Sequence, residues 1–284
     1  MSRERVSKAS DVEIGSPQIR SVAKALHILD LLARNGREMS LSEIAEEMKS
    51  AKSTIHGLLA TLKDFHYVQQ EAFEGKYWLG IRLFEIGNVV ANSWDVRRVA
   101  APHIERVVDE LEETAHLAVL DQGMVLYIDK RDSRRSIRIV SQVGARLPAH
   151  CSGVGKALLA HIPASELRRI AAAQGLPGFT RNTITDLRCL EEELELIRRR
   201  GYAVDNEEIM EGLRCVAAPI RNHSGKVCAA VSVSGPVSRL VGDRFTQVVE
   251  MVIRTATEIS AGLGYRPSRN SEIHGAERVP VPAP

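Results

Sequence analysis

The 284-residue sequence holds only four cysteines, Cys151, Cys189, Cys215 and Cys228, with no Cys-x-x-Cys spacing among them. That scatter excludes a disulfide framework and a zinc knuckle, so the four read as reduced thiols. Aromatic residues make up 4% of the chain, too few for the stacking platforms of a single-strand nucleic-acid binder. Long apolar runs are missing too. The longest stretch without a charged side chain, Val227 to Ser238, falls far short of the ~20 residues a membrane helix needs, and no membrane partner is expected. Nor does one sign of charge dominate: 38 Lys and Arg against 36 Asp and Glu give +2, which excludes a polybasic or an acidic solvating chain. Residues 1–11 contain no apolar h-region, so no secretory signal is read and a cytoplasmic location is expected.

What is present is a 44% hydrophobic content, enough for a sizeable core, in a length that suits two domains. Residues 1–18 are polar and aperiodic, and 266–284 run through Pro267, Gly275, Pro280, Pro282 and Pro284, so both ends read as disordered tails. A helical period begins with Val22, Leu26, Leu29 and Leu32, with Ser21 as N-cap and Gly36 just past the end. A shorter amphipathic segment, begun by Ser40 or Leu41, runs to Met48. A third, with Ser50 as N-cap, spans about 51–65 and sets Ile55, Leu58, Leu59, Leu62 and Phe65 in one stripe. Only Lys49 and Ser50 separate the last two, which is the pattern of a helix-turn-helix. Strand-like runs at 67–70 and 76–79, bridged by 71–75, then predict a β-hairpin wing.

Residues 19–80 are therefore a predicted winged helix-turn-helix, and the period of Leu83, Ile86, Val89 and Val90 predicts a linker helix over 81–95. From 96 to 265, strand-like runs (116–120, 125–129, 137–140, 216–220 and 227–234) interleave unevenly with longer helical ones (97–112, 152–161, 186–200 and 243–262). That order predicts an α/β or α+β sensor domain with an antiparallel sheet.

A recognition helix presents a small, polar face at its N-terminal end, because that end meets base edges in the major groove. Opposite the apolar stripe of the third helix lie Ser53, His56, Gly57 and Ala60, flanked by Lys52 and Thr54. Ser53, Thr54 and His56 can donate or accept at base edges, while Lys52, Lys63 and Lys76 can neutralise phosphates. The same residues would also serve as the solvated side of an ordinary helix; three helices and a wing in order favour double-stranded DNA as the partner. Residues 1–90 hold twelve Lys or Arg and twelve Asp or Glu, so any basic face must be local, with Glu43, Glu46 and Glu47 set apart on the second helix. Moderate, salt-sensitive affinity that needs a multimer is expected.

The segments Ser21 to Leu32, Lys52 to His56 and Lys76 to Gly80 resemble the IclR family of bacterial transcriptional regulators. So do Leu147 to Leu159, Gly201 to Glu208, Gly212 to Ile220 and Val231 to Pro236 in the second half, and the likeness spans about residues 19–265. It departs at Gly57, where many relatives carry Arg. The resemblance implies an α+β protein: a winged helix-turn-helix joined by a helix to a GAF-like effector-binding domain. It also implies homodimers or homotetramers on palindromic operators, and a small organic effector. Residues 148–155 read as a strand end turning into a helix capped by Ser152 or Cys151, leaving the amides of Gly153, Val154 and Gly155 for a carboxylate. A tight turn that needs glycine only for packing is the other reading. By the resemblance, Gly153 and Val154 line one wall, with Asp205, Leu213, Cys215, Ser232 and Ser234 opposite and Ile139 as a lid contact. Ser232 and Ser234, two apart on one strand, share a face.

Enzyme readings find less support. A P-loop needs Gly where His150 stands and Ser or Thr where Ala157 stands. His150 and Cys151 are sequence neighbours on an extended segment and point apart, so they do not make a nucleophilic pair. A zinc site from His150, Cys151 and Cys215 has suitable ligands but no supporting spacing, so neither a metal nor another cofactor is assigned. The sequence thus reads as a DNA-binding regulator modulated by a small organic, carboxylate-bearing effector. The alternative is a small-molecule-binding enzyme with a vestigial helix-turn-helix.

Overall fold

The computed structural model describes residues 19–71, 73, 75–93, 95–135 and 141–266. The expected tails (Arg266 apart), the strand expected at 137–140 and the lid residue Ile139 lie outside the described residues. The chain divides into two compact units, the first ending at Ala91 and the second beginning at Asn92.

The first unit contains α1 (Arg20–Asn35), α2 (Leu41–Glu47), α3 (Lys52–Asp64), β1 (Val68–Gln70), β2 (Tyr77–Leu79) and most of α4 (Ile81–Ser93). Its core is drawn from every element before α4: Ile28, Leu32, Ile44, Ile55, Leu59, Val68 and Tyr77 pack together. α1 ends at Gly36, whose φ of 60° lets its amide return to the Leu32 carbonyl. At the other end the expectation fails, because Ile19 occupies the N-cap position of α1 without a side-chain bond and Ser21 lies inside the helix. Ser40 begins α2 through a capping box: its Oγ accepts from the Glu43 amide at 3.3 Å, and Glu43 Oε2 accepts from the Ser40 amide at 2.7 Å. Ser50 does not cap α3; its hydroxyl donates to the Met48 carbonyl at 3.1 Å, and Ala51 takes the cap position. β1 and β2 pair antiparallel, Val68 opposite Leu79, as a wing.

The second unit contains α5 (Asp95–Leu111), β3 (Thr114–Asp121), β4 (Met124–Arg131), β5 (Arg146–Pro148), α6 (Gly153–Leu159), α7 (Ala164–Gln174), α8 (Leu187–Arg200), β6 (Ala203–Asn206), β7 (Leu213–Arg221), β8 (Val227–Pro236) and α9 (Gly242–Gly262). Its sheet is antiparallel throughout, in the order β5-β4-β3-β8-β7-β6. The fold class is α+β. Strand period two sends Leu117, Val216, Val231 and Val233 to one face, where Ile104 and Leu111 of α5 and Val248 and Ile259 of α9 cover them. The other face carries Ala118, Tyr127, Ala217 and Ala230 against Val154 of α6, Leu167 of α7 and Leu194 and Ile197 of α8.

Candidate functional site

On α3, Ile55 and Leu59 turn into the core and leave Lys52, Ser53, Thr54 and His56 exposed together on the first turns. No N-cap side chain accepts from the first-turn amides of α3; the Thr54 amide bonds the Ala51 carbonyl at 3.0 Å, which leaves those of Lys52 and Ser53 for an anion such as a phosphate oxygen. Lys63 stands eleven residues further on, ~16 Å along the helix. Its Nζ donates to Gln70 Oε1 of β1 at 3.1 Å, which ties the end of α3 to the wing. Lys76 is half-buried at the entry to β2.

In the second unit, register places Asp205, Cys215, Ser234 and Thr114 in one row across β6, β7, β8 and β3. Ala203, Ala217, Ser232 and His116 form the next row. Directly opposed residues of an antiparallel pair share a face, here the face under α6. Gly153 joins them, since a Cβ there would sit 2.9 Å from Cys215 Sγ and 3.5 Å from Ala217 Cβ. Leu213 stands on the same face at the start of β7, whereas Val154 packs into the apolar cluster around Tyr127. Of the expected effector residues, the structure therefore brings Gly153, Asp205, Cys215, Ser232 and Ser234 together.

Ser152, rather than Cys151, caps α6: its Oγ accepts from the Gly155 amide at 3.3 Å and donates to the Pro148 carbonyl at 3.2 Å. This corrects the expectation of three free amides, because the Gly155 amide is already taken. A Cβ at Gly155 would lie 2.2 Å from the Ala149 carbonyl oxygen. Close packing by itself thus requires glycine at 155 and favours it at 153.

Burial decides the charge states on this face. Asp205, 1% exposed, accepts from the Glu208 amide at 2.7 Å, yet loss of water raises its carboxyl to about 7. The Cys151 and Cys215 thiols are pushed up to about 12 by burial and then by the nearby Asp205 carboxyl, which keeps both protonated and poor nucleophiles. His150 Nε2 faces the Pro177 carbonyl at 3.0 Å. Among the described residues, no three His, Cys, Asp or Glu side chains form a metal-holding group.

Two residues that bear on this face, His116 and Lys156, were not singled out from the sequence. His116, pushed down to about 4 chiefly by burial, stacks on Tyr127 at 4.7 Å and places Nε2 2.7 Å from Ser141 Oγ. Its Nδ1, like Ser232 Oγ, is buried without a hydrogen-bond partner. Lys156, also buried, donates to Glu208 at 2.5 Å and lies 3.6 Å from Glu193. The signal for Lys156 was legible, as the one charge in the small and apolar run 153–160. His116 gave none beyond its parity in a strand, because its pairing with β8 joins residues 116 positions apart.

A helix-turn-helix with a wing and an exposed polar α3 face, joined to an α+β domain with polar groups lining one sheet interior, defines a DNA-binding transcriptional regulator. Residues 21–72 match the IclR helix-turn-helix domain and residues 88–261 match the family described as bacterial transcriptional regulator IclR C-terminal; the chain belongs to the IclR family. It is 36% identical over 248 residues to the HTH-type transcriptional repressor AllR of Salmonella paratyphi A, covering 87% of this chain and 91% of AllR. The crystal structure of Thermotoga maritima IclR superposes with a TM-score of 0.74 at 35% identity, covering 87% of this chain and all of that one. An IclR homolog from Microbacterium hydrocarbonoxydans, complexed with 4-hydroxybenzoate, gives 0.76 at 28% identity over 86% of this chain and 98% of its own. Relatives with regulator and repressor names place the chain among regulators rather than enzymes. Among the described residues, no helix is long and apolar enough to cross a membrane.

Proposed function

We propose that the protein binds an operator through α3 and the wing, and that a small organic acid held on the α6 side of the sheet alters that binding. The observation that carries this reading is the buried row of Asp205, Cys215 and Ser234 beside Ser232, polar groups drawn together under α6. Buried polar groups are costly unless something bonds them, so a ligand is their natural complement. The 4-hydroxybenzoate bound by the Microbacterium homolog is a carboxylate with a hydroxyl, which supports the same class here. Asp205 suits such a ligand, because a carboxyl raised to about 7 is largely protonated below that pH and donates.

In this reading residues 19–80 bind DNA, 81–95 link and 96–265 sense, in a cytoplasmic protein. Ser53, Thr54 and His56 read base edges; Lys52, Lys63 and Lys76 meet phosphates. Gly153, Val154, Asp205, Leu213, Cys215, Ser232 and Ser234 surround the effector, with Ile139 as a lid contact. Exposed apolar side chains at the N-cap and on the first turns of α1 (Ile19, Val22, Leu26) and on α4 (Phe84, Val89) support self-association as a homodimer or homotetramer. The effector favours one arrangement of the sensing units, and α4 passes that preference to the spacing of the recognition helices.

Footprinting on the protein's own upstream DNA tests the interface. His56→Ala should lose ~1–3 kcal/mol of discrimination at one operator position, whereas Lys76→Ala should weaken specific and random DNA alike. Equal loss on both DNAs for His56→Ala would remove it from base reading.

A further inference from the structure

Among the described residues six buried side-chain nitrogen or oxygen atoms lack a hydrogen-bond partner, and two of them lie side by side on neighbouring strands of the sheet. Nδ1 of His116 and Oγ of Ser232 each belong to a side chain in a residue only 1% exposed; neither bonds a nitrogen or an oxygen, and the Ser232 hydroxyl has only the weakly bonding Cys215 thiol beside it. They are register partners on β3 and β8, so both side chains leave the sheet on the same side. That side is the α6 face, as the tyrosine beneath His116 and the Ala217 neighbour of Ser232 both indicate. An orphaned buried donor or acceptor costs about 1–3 kcal/mol. Two of them side by side make a place for one group that bonds both.

We propose that His116 and Ser232 form a hydroxyl-recognition subsite of the effector face, which makes the effector a hydroxy acid whose hydroxyl lies one strand row away from its carboxylate. This rests on the acid-effector reading above, and it adds two claims to it: His116 as a ligand-binding residue, and the spacing of the ligand's two polar groups.

A hydroxyl fits the pair because it donates and accepts at once. His116 is neutral, so its ring offers one donor and one acceptor; Ser232 offers either. A carboxylate fits worse. Lys130 on β4, the register partner of His116, is already bonded to Asp132 and to the Ser141 carbonyl, each at 2.7 Å. A second carboxylate would therefore be buried against neutral donors alone. The spacing follows from the sheet. Ser234 and Ser232 are two residues apart on β8, about 6.6–6.8 Å at the rise of a strand. A carboxylate beside Ser234 and a hydroxyl beside Ser232 are then joined by a chain of about four to six carbons. His116 Nε2, 2.7 Å from Ser141 Oγ, holds the ring for this task from its other side.

The test is calorimetry on the full-length protein with matched probes of four, five and six carbons: the ω-hydroxy acid, the unsubstituted acid and the dicarboxylate. At one of these lengths the hydroxy acid should bind roughly ten-fold tighter than the other two, since one satisfied hydrogen bond to two buried groups is worth about that factor. In Ser232→Ala and His116→Leu that preference should collapse toward unity. Thermal midpoints check that each variant folds, and the comparison of probes on the parent protein needs no variant. Unsubstituted acids that bind as tightly as their hydroxy partners would overturn the subsite while leaving the acid-effector reading intact, and a dicarboxylate that binds tightest would also overturn it. A preference fully kept in Ser232→Ala would do the same. Failure of every acid to bind would overturn the acid-effector reading itself, and the subsite with it.

Discussion

Asp205 shows how one residue's surroundings set its chemistry. Its carboxyl titrates near 7 in the folded chain, because burial outweighs the bond from the Glu208 amide, against ~4 when unfolded. Between those values the folded protein keeps a proton that the unfolded chain has released. This group's effect on stability therefore worsens as pH rises from about 4 to 7 and is complete above 7. Asp205→Asn removes the titration, so the variant should gain on the parent by about 3 kcal/mol between pH 4.5 and 7.5, read from urea denaturation at the two values. His116 and His161, both pushed down to about 4 by burial, act in the opposite direction as pH falls. Being present in both proteins, they cancel in the comparison. A constant difference between parent and variant would mean that Asp205 is ionised throughout. None of this is legible in the sequence, where Asp205 is one acidic residue beside two others; its state depends on the helix laid over it.

Elements were legible where a stripe, or a turn between paired runs, announced them. α1, α3 and α9 show their periods plainly, and the wing is marked by two short β-rich runs around a turn. β5 and β6, of three and four residues, are too short to show alternation. α7 buries only Leu167 and Ile170 and so offers little stripe to find. The caps misplaced at Ser21 and Ser50 have one cause: both serines precede helical periods, but the backbone enters each helix at another residue, Ile19 or Ala51. Within α3, Gly57 is exposed, and a Cβ there meets nothing within 4 Å. Gly57→Ala should thus raise stability by about 0.5–1 kcal/mol in thermal unfolding, since only helix propensity changes. A loss of stability would reveal a backbone demand at 57 that this geometry lacks.

For the whole molecule, the family and its two units were readable because motifs in both halves point the same way, while the effector face was readable only in part. Asp205, Cys215, Ser232 and Ser234 were expected together and register brings them together. Their neighbour His116 depends on a pairing between distant strands that no local pattern announces. The buried pairing of Lys156 with Glu208 and Glu193 is likewise a long-range product of folding, α6 reaching the loop after β6 and α8. The central claim is that an acid bound on this face changes operator affinity. The direct measurement is fluorescence anisotropy of labelled upstream DNA, titrated with full-length protein with and without the tightest-binding acid. The account predicts a shift in DNA affinity of about 5- to 150-fold, the usual size of such coupling, and a reduced shift at the same acid concentration in Ser234→Ala. An operator affinity identical with and without an acid that calorimetry shows to be bound would contradict it.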